Sequence, residues 1–445
     1  MSANSLYQQN IFHCFHAEIG PAGLNRNELG KALENVQDAL ERLRREHDLG
    51  RLPLLDVPSW RDDLVDMEQA AGLLAHDTSD IVLFGTGGSS LGAQALAQIA
   101  DFLDTAPQRE VHRRPKLHFF DNVETPWMER VLNRLPPDTT RFLVISKSGA
   151  TPETLLQTFL AMNWLRQAGL EAEFNSRFLI VTQPKNKKSN PLREIANEHG
   201  LPVLDHPPDI GGRYAVLSIV GALPAMLLGL DPLNIRQGAQ VILDPVLSGA
   251  QIMDIPPAVS AAVYVALVRR GQLKAVVTMP YTSRLRLFSA WFQQLWAESL
   301  GKGGQGTQPV TAIGPVDQHS QLQLFLDGPN DKLFTLIMPS SSGKGFRLPE
   351  ALRSNADYGY LAGHHIGDFT DCLQRATAES LVRRGRPVRT IHIKHLDERT
   401  IGALFMHFML ETILTGYMLN VNPFDQPAVE FSKQITRELL AARAQ

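Results

Sequence analysis

Short apolar runs that end in glycine or serine, each followed by a helix-length repeat, constrain this chain more than any other feature. Ile81-Val82-Leu83-Phe84 runs into Gly85, and Leu91, Leu96, Ile99 and Leu103 then recur at helical spacing. Leu117-His118-Phe119-Phe120, Phe142-Leu143-Val144-Ile145 and Phe178-Leu179-Ile180-Val181 repeat the pattern, with a helix expected near Pro126 to Leu135. Strands apolar on both faces, alternating with helices, call for a parallel sheet covered on both sides. Beyond a helix around Val216 to Leu228 the alternation resumes. Ala275 to Met279, Val310 to Ile313, Leu333 to Met338 and Thr390 to Ile393 read as strands, and Leu285 to Glu298 as a helix.

Two α/β units in series fit this better than one large sheet. The seam is placed near Asp231 to Asp254, where Pro232 and Pro245 are expected to break helical continuity. The fold class is therefore α/β, two domains each with a mainly parallel β-sheet flanked by helices, plus N- and C-terminal helical segments. An amphipathic helix over Asn25 to Arg45 and a last helix from about Pro427 supply those segments. The divisions fall at residues 1–55, 56–235, 236–422 and 423–445.

A chain of 445 residues, 44% hydrophobic and 20% charged, has ample material for such cores, which excludes a mostly disordered protein. Its 43 Lys and Arg against 46 Asp and Glu leave a formal charge of -3, which argues against a general nucleic-acid partner. Cys14 and Cys372 are too few for a disulfide framework or a Cys-based zinc site, and fit a reducing cytoplasm. Met1 to Gly20 lacks the basic stretch and apolar core of a secretory signal. Tyr214 to Leu230 is short and interrupted by Ser218 and Pro224, and Ile401 to Leu419 carries His407 and Glu411. Both read as buried helices, so a soluble cytoplasmic protein with no membrane partner is expected. His364-His365 are adjacent, and His392 and His395 lack a carboxylate at ligand spacing, so no metal is expected.

Two strand-to-helix junctions carry the chemistry. In Gly85-Thr86-Gly87-Gly88-Ser89-Ser90-Leu91-Gly92, glycines let backbone approach a ligand and the helix N-terminus offers free N–H groups to an anion. A dinucleotide fingerprint fits poorly, because Ser90 stands where its third glycine belongs and Asp121 lies too far along to hold a ribose. In Ser146-Lys147-Ser148-Gly149-Ala150-Thr151-Pro152-Glu153, a hydroxyl cap, a first-turn proline and an acid explain only the last three residues. Ser146, Lys147 and Ser148 suit a phosphomonoester, with hydroxyls for its oxygens and a cation for its charge. Two such loops at the carboxyl ends of strands point to a phosphorylated ligand.

These residues carry a resemblance. Gly87-Gly88-Ser89 with Ser146-Lys147-Ser148 and Thr151 resemble the phosphate loops of sugar-isomerase (SIS) domains. Gly211-Gly212-Arg213-Tyr214 resembles the first signature of the glucose-6-phosphate isomerase family. Phe424-Asp425-Gln426-Pro427-Ala428-Val429-Glu430-Phe431-Ser432-Lys433 resembles its second, and Glu298-Ser299-Leu300-Gly301-Lys302 its catalytic segment in compact bacterial members. Ala215 departs from the family's usual Ser or Thr, at the cost of one hydroxyl.

The resemblance implies two SIS-like domains and an aldose–ketose isomerase that uses no cofactor. It implies Glu298 as base, His319 and Lys433 as ring-opening residues, and Arg213 as the cation that stabilises an enediolate. Gly88, Ser89, Ser146, Lys147, Ser148, Thr151, Gly212 and Gln426 would bind the sugar phosphate. His319 would come from a partner subunit, which implies a homodimer. From the residues themselves, Glu298 closes a helix bearing Trp291, Phe292, Leu295 and Trp296, so a hydrophobic wall that would raise its pKa is available. Lys433 also reads as a surface lysine paired with Glu430. A non-catalytic sugar-phosphate sensor and a dual glucose/mannose phosphate isomerase remain alternatives, and a nucleotide-dependent dehydrogenase stands behind both.

Overall fold

The computed structural model describes residues 6–103, 114–185 and 189–443, so the first five residues of the stretch examined for a signal lie outside it. Strand β1 (Tyr7–Asn10) opens the chain, then β2 (Asp80–Phe84), β3 (Lys116–Phe120), β4 (Thr140–Ile145), β5 (Phe178–Thr182) and β6 (Val203–Asp205) follow. Strands β2 to β6 form one sheet, ordered β3-β2-β4-β5-β6 and parallel throughout. The second sheet takes β7 (Ala275–Pro280), β8 (Gln308–Thr311), β9 (Lys332–Pro339) and β10 (Val388–Ile393), ordered β8-β7-β9-β10-β1. Its members are parallel except β1, which pairs antiparallel with β10. Both sheets thus share one winding, and each has a point between its second and third positions where the chain reverses direction.

The apolar runs are strands because they are buried on both faces. Ile81 to Phe84 and Phe142 to Ile145 are fully buried. Along β4, Leu143 and Ile145 enter the main core while Phe142 and Val144 enter a second cluster with Phe84, Phe120 and Phe178. Three features differ from the sequence reading. The N-terminal segment holds a strand as well as its helix, Arg26–Asp48, and that strand completes the second sheet. Strand β6 is too short and polar for its alternation to register. The 231–254 stretch is mostly one helix, Pro232–Ser248, in which Pro232 takes the first turn and Pro245 sits inside. Pro245 lies in the last turn, where losing one N–H interrupts little, and packing against the Glu398–Met418 helix carries the chain through it.

That Glu398–Met418 helix is the axle of the molecule. It is apolar and long enough to cross a bilayer by composition, yet 94% of its apolar window is buried inside the fold, as read from sequence. It crosses Pro232–Ser248 glycine to glycine: a Cβ on Gly402 would lie 1.8 Å from the Ile235 carbonyl oxygen, and one on Gly238 would lie 1.8 Å from that of Arg399. Gly402→Ala should therefore force the helices apart and cost about 1–3 kcal/mol. The denaturant midpoint checks this, and an unchanged midpoint would mean the crossing has slack.

The same helix carries a buried polar cluster. His407 Nδ1 lies 2.6 Å from Tyr7 Oη and its Nε2 3.3 Å from Glu411, whose Oε2 also takes a hydrogen bond from Arg389 Nη1 at 2.8 Å. Burial pushes His407 down, as it does His206 and His392, so these rings are neutral in the fold. The unfolded chain protonates them first, so stability is full above about pH 6.5 and falls below it. Chemical denaturation at pH 7.5 and pH 5.5 should show lower stability at the acid value; equal values would refute neutral burial.

Candidate active site

The first reversal of winding lies between β2 and β4, because β3 sits on one side of β2 and β4 on the other. Loops leaving the carboxyl ends of strands at such a point splay apart and leave a crevice. Both sequence-marked loops leave from here. The first, through Gly87–Ser89, is a short 3-10 turn leading into the Leu91–Leu103 helix. Gly88, Ser89 and Gly87 are half-buried along it. A Cβ on Gly88 would lie 2.2 Å from the Gly212 carbonyl carbon and 2.4 Å from Arg213 N, so glycine there lets two backbones touch.

In the second loop Ser146 is buried, Lys147 half-buried and Ser148 exposed. Thr151 holds the N-cap position and Pro152 the first turn, as expected, but the Thr151 hydroxyl makes no capping bond. It lies 3.1 Å from Ser146 Oγ instead, so both hydroxyls line one side of the loop. Burial pushes the Lys147 ammonium down, opposed by the Asp209 carboxylate.

Arg213 draws the rest together. It lies in the 3-10 turn Gly212–Leu217 and is 3% exposed. A guanidinium has five N–H donors, and all five are engaged. Nε donates to Ser299 Oγ at 2.8 Å, Nη1 to Glu298 Oε2 at 3.2 Å and Gln426 Oε1 at 2.8 Å. Nη2 donates to the carbonyls of Pro423 at 2.7 Å and Asp425 at 3.0 Å. Tyr214 Oη closes the arrangement, 3.0 Å from Ser299 Oγ and 3.2 Å from the Pro423 carbonyl oxygen. One side chain thus fixes the Arg286–Leu300 helix and the 423–426 segment beside the first loop. A second anchor is Lys302, 2.9 Å from the Asp425 carboxylate.

Glu298 sits near the C-terminal end of the Arg286–Leu300 helix with its side chain one-third exposed. The four apolar residues expected to wall it face the core instead. Trp291, Phe292, Leu295 and Trp296 bury into the main core, while Glu298 shares a face with Gln294, one turn earlier. Gln294 Nε2 donates to Glu298 Oε1 at 3.1 Å and stands where a Cβ on Gly87 would meet it at 2.7 Å. The carboxylate is therefore held by two donors, one on each oxygen. Arg213 also answers why an acid tolerates the negative pole of a helix.

The structure brings Glu298, Arg213, Gln426, Gly88 and Gly212 into contact, with Ser89 in the same loop and Ser146 and Thr151 beside it. Lys147 and Ser148 lie in the same second loop, but the two ring-opening candidates are not brought in. His319 is exposed on the turn Val316–His319, and no hydrogen bond or ion pair joins it to these groups among the described residues. Lys433 is half-exposed on the Val429–Arg443 helix, paired with Glu430 at 2.7 Å, so within one chain the surface-lysine reading holds. Gln294, Ser299 and Tyr214 were given no role from sequence. The four-residue step from Gln294 to Glu298 was the available signal for the first.

The sequence matches the phosphoglucose isomerase family profile over residues 63–316 and 365–445. The chain belongs to the phosphoglucose isomerase family. A glucose-6-phosphate isomerase from Rubrobacter xylanophilus is 34% identical over 383 residues, 85% of this chain and 87% of that one. The crystal structure of a hypothetical protein from Thermus thermophilus superposes with a TM-score of 0.83 at 31% identity, covering 98% of this chain and 100% of that one. A glucose-6-phosphate isomerase from Chlamydia trachomatis, 18% identical, shares the fold with a TM-score of 0.78 over 95% of this chain and 87% of its own. Family membership accounts for the isomerase resemblance of both loops and both signatures.

Proposed function

We propose that the chain interconverts glucose 6-phosphate and fructose 6-phosphate through a cis-enediolate, without a cofactor. The observation that carries this is Arg213, which ties the Glu298 carboxylate, the Gln426 amide and the first glycine loop to one crevice, while the second loop leaves the neighbouring strand. Gly88, Ser89, Ser146, Ser148 and Thr151, with Lys147 for charge, hold the phosphoryl group. Gly212 keeps the Arg213 turn against the first loop, and Gln426 holds the sugar. His319 and Lys433 open the ring by moving the O1 proton to the ring oxygen. Glu298 takes the proton from C2 and returns it at C1, while the O2 proton passes to O1, so the product is an isomer.

Arg213 has a timed part in this. While Glu298 is ionised, Nη1 is spent on it. Once Glu298 carries the C2 proton its claim on Nη1 weakens, and the donor becomes available as negative charge forms on the enediolate. Purified protein, with chelator and no added cofactor, should convert glucose 6-phosphate to fructose 6-phosphate. Binding of the sugar phosphate without turnover would replace this reading with a sensor.

The working form is a cytoplasmic homodimer whose partner supplies His319. Two observations support it: His319 faces solvent in one chain, and the Val429–Arg443 helix leaves Phe431, Leu439 and Leu440 uncovered at 71%, 63% and 60% exposure. Mixing inactive Glu298→Gln and His319→Ala proteins under subunit exchange should restore activity, because one mixed site then holds both groups. No restoration would place both in the same chain.

A further inference from the structure

One buried side chain beside the second phosphate loop has half its chemistry unused. His206 directly follows β6 and is fully buried. Its Nδ1 lies 2.9 Å from the Pro207 carbonyl oxygen. A carbonyl only accepts, so the proton sits on Nδ1 and Nε2 carries a bare lone pair. That Nε2 is buried and meets no donor among the described residues. Buried acceptors of this kind are nearly always satisfied.

Sheet order places a donor within reach. Strand β5 pairs with β4 on one side and β6 on the other. Past the strand ends, Gln183 N donates to the Lys147 carbonyl at 3.1 Å and His206 N to the Thr182 carbonyl at 2.9 Å. Lys147 and His206 therefore flank the same point of β5, their backbones about 10 Å apart across the sheet, a span that a lysine stem and an imidazole can close. Strand alternation sends both to one face: Leu143 and Ile145 precede Lys147, Leu204 precedes His206, and all three pack on the main core. Burial pushes His206 down to about 4, the Pro207 bond opposes this, and the nearby Lys147 ammonium lowers it further. At pH 7 the ring is an acceptor.

We propose that His206 is a positioning residue of the phosphate subsite. With a phosphoryl group in the Ser146–Thr151 loop, Lys147 donates one Nζ–H to the anion and another to His206 Nε2, which holds the ammonium over the loop. This rests on the phosphate reading of that loop.

The direct test is a 15N NMR titration of the histidine rings in the full-length protein with inorganic phosphate. His206, assigned by its loss in His206→Gln, should remain the Nδ1–H tautomer while its Nε2 resonance shifts as an acceptor does on gaining a donor. Phosphate binding with an unmoved Nε2 overturns the proposal and leaves the isomerase reading standing; absence of phosphate binding removes both. In kinetics, His206→Leu should raise KM for glucose 6-phosphate and the inhibition constant for inorganic phosphate about tenfold with kcat within about twofold. His206→Gln, which keeps an acceptor, should recover most of that affinity. A joint loss of kcat, affinity and melting temperature, equal in both variants, would make His206 structural only and overturn the proposal.

Discussion

Glu298→Gln should lower kcat about 10²–10⁴-fold, the range a positioned general base contributes, while stability changes little. The amide keeps the size of the carboxylate and one acceptor, but it cannot take a proton from carbon. It also turns an NH₂ group toward either Gln294 Nε2 or Arg213 Nη1, both donors. That mismatch is mild because the side chain is one-third exposed and water can intervene. Steady-state turnover and thermal melting of the same preparation separate the two effects. Near-normal turnover would remove Glu298 from the chemistry, and unfolding would make it a structural residue.

Arg213→Lys should do damage of two kinds. The guanidinium meets five acceptors from two segments, and an ammonium offers three donors from one point. At least two acceptors lose this donor, and those of Ser299 and Pro423 are buried, with the single Tyr214 hydroxyl left between them. We expect a stability loss of about 2–4 kcal/mol together with a fall in kcat of about 10²-fold or more, the effect of removing one donor from a developing oxyanion. A variant that lost stability but kept kcat would show that Arg213 only staples the 423–426 segment. Loss of kcat with full stability would assign it to the transition state alone. The saturated bonding predicts both losses together.

How these two residues come to matter shows where reading a sequence stops. The strands were legible because parallel strands buried on both faces become unbroken apolar runs, as in β2, β4 and β5. The loops were legible because a backbone that must approach an anion needs glycine and hydroxyl residues at a strand end, and those types are visible in one dimension. The Glu398–Met418 helix was read as buried because His407 and Glu411 interrupt its apolar surface, and the fold answers them with Tyr7 and Arg389.

What the sequence did not decide was contact between distant segments. Strand β1 is four residues with little apolar signal, and it is a strand because β10 presents a free edge nearly four hundred residues later. Pro245 looked like a break because its local cost is legible while its packing is not. The four apolar residues expected to wall Glu298 face the core for a related reason: a helix with large apolar residues has a second face, and only its neighbours determine which face a given carboxylate sees. His319 and Lys433 are proposed for the site on the family resemblance alone, and one folded chain leaves both exposed. Local chemistry, written in residue type and spacing, was fixed by the sequence itself. Which groups meet was decided by tertiary structure, because burial is shared among segments far apart in the chain and no short window records it.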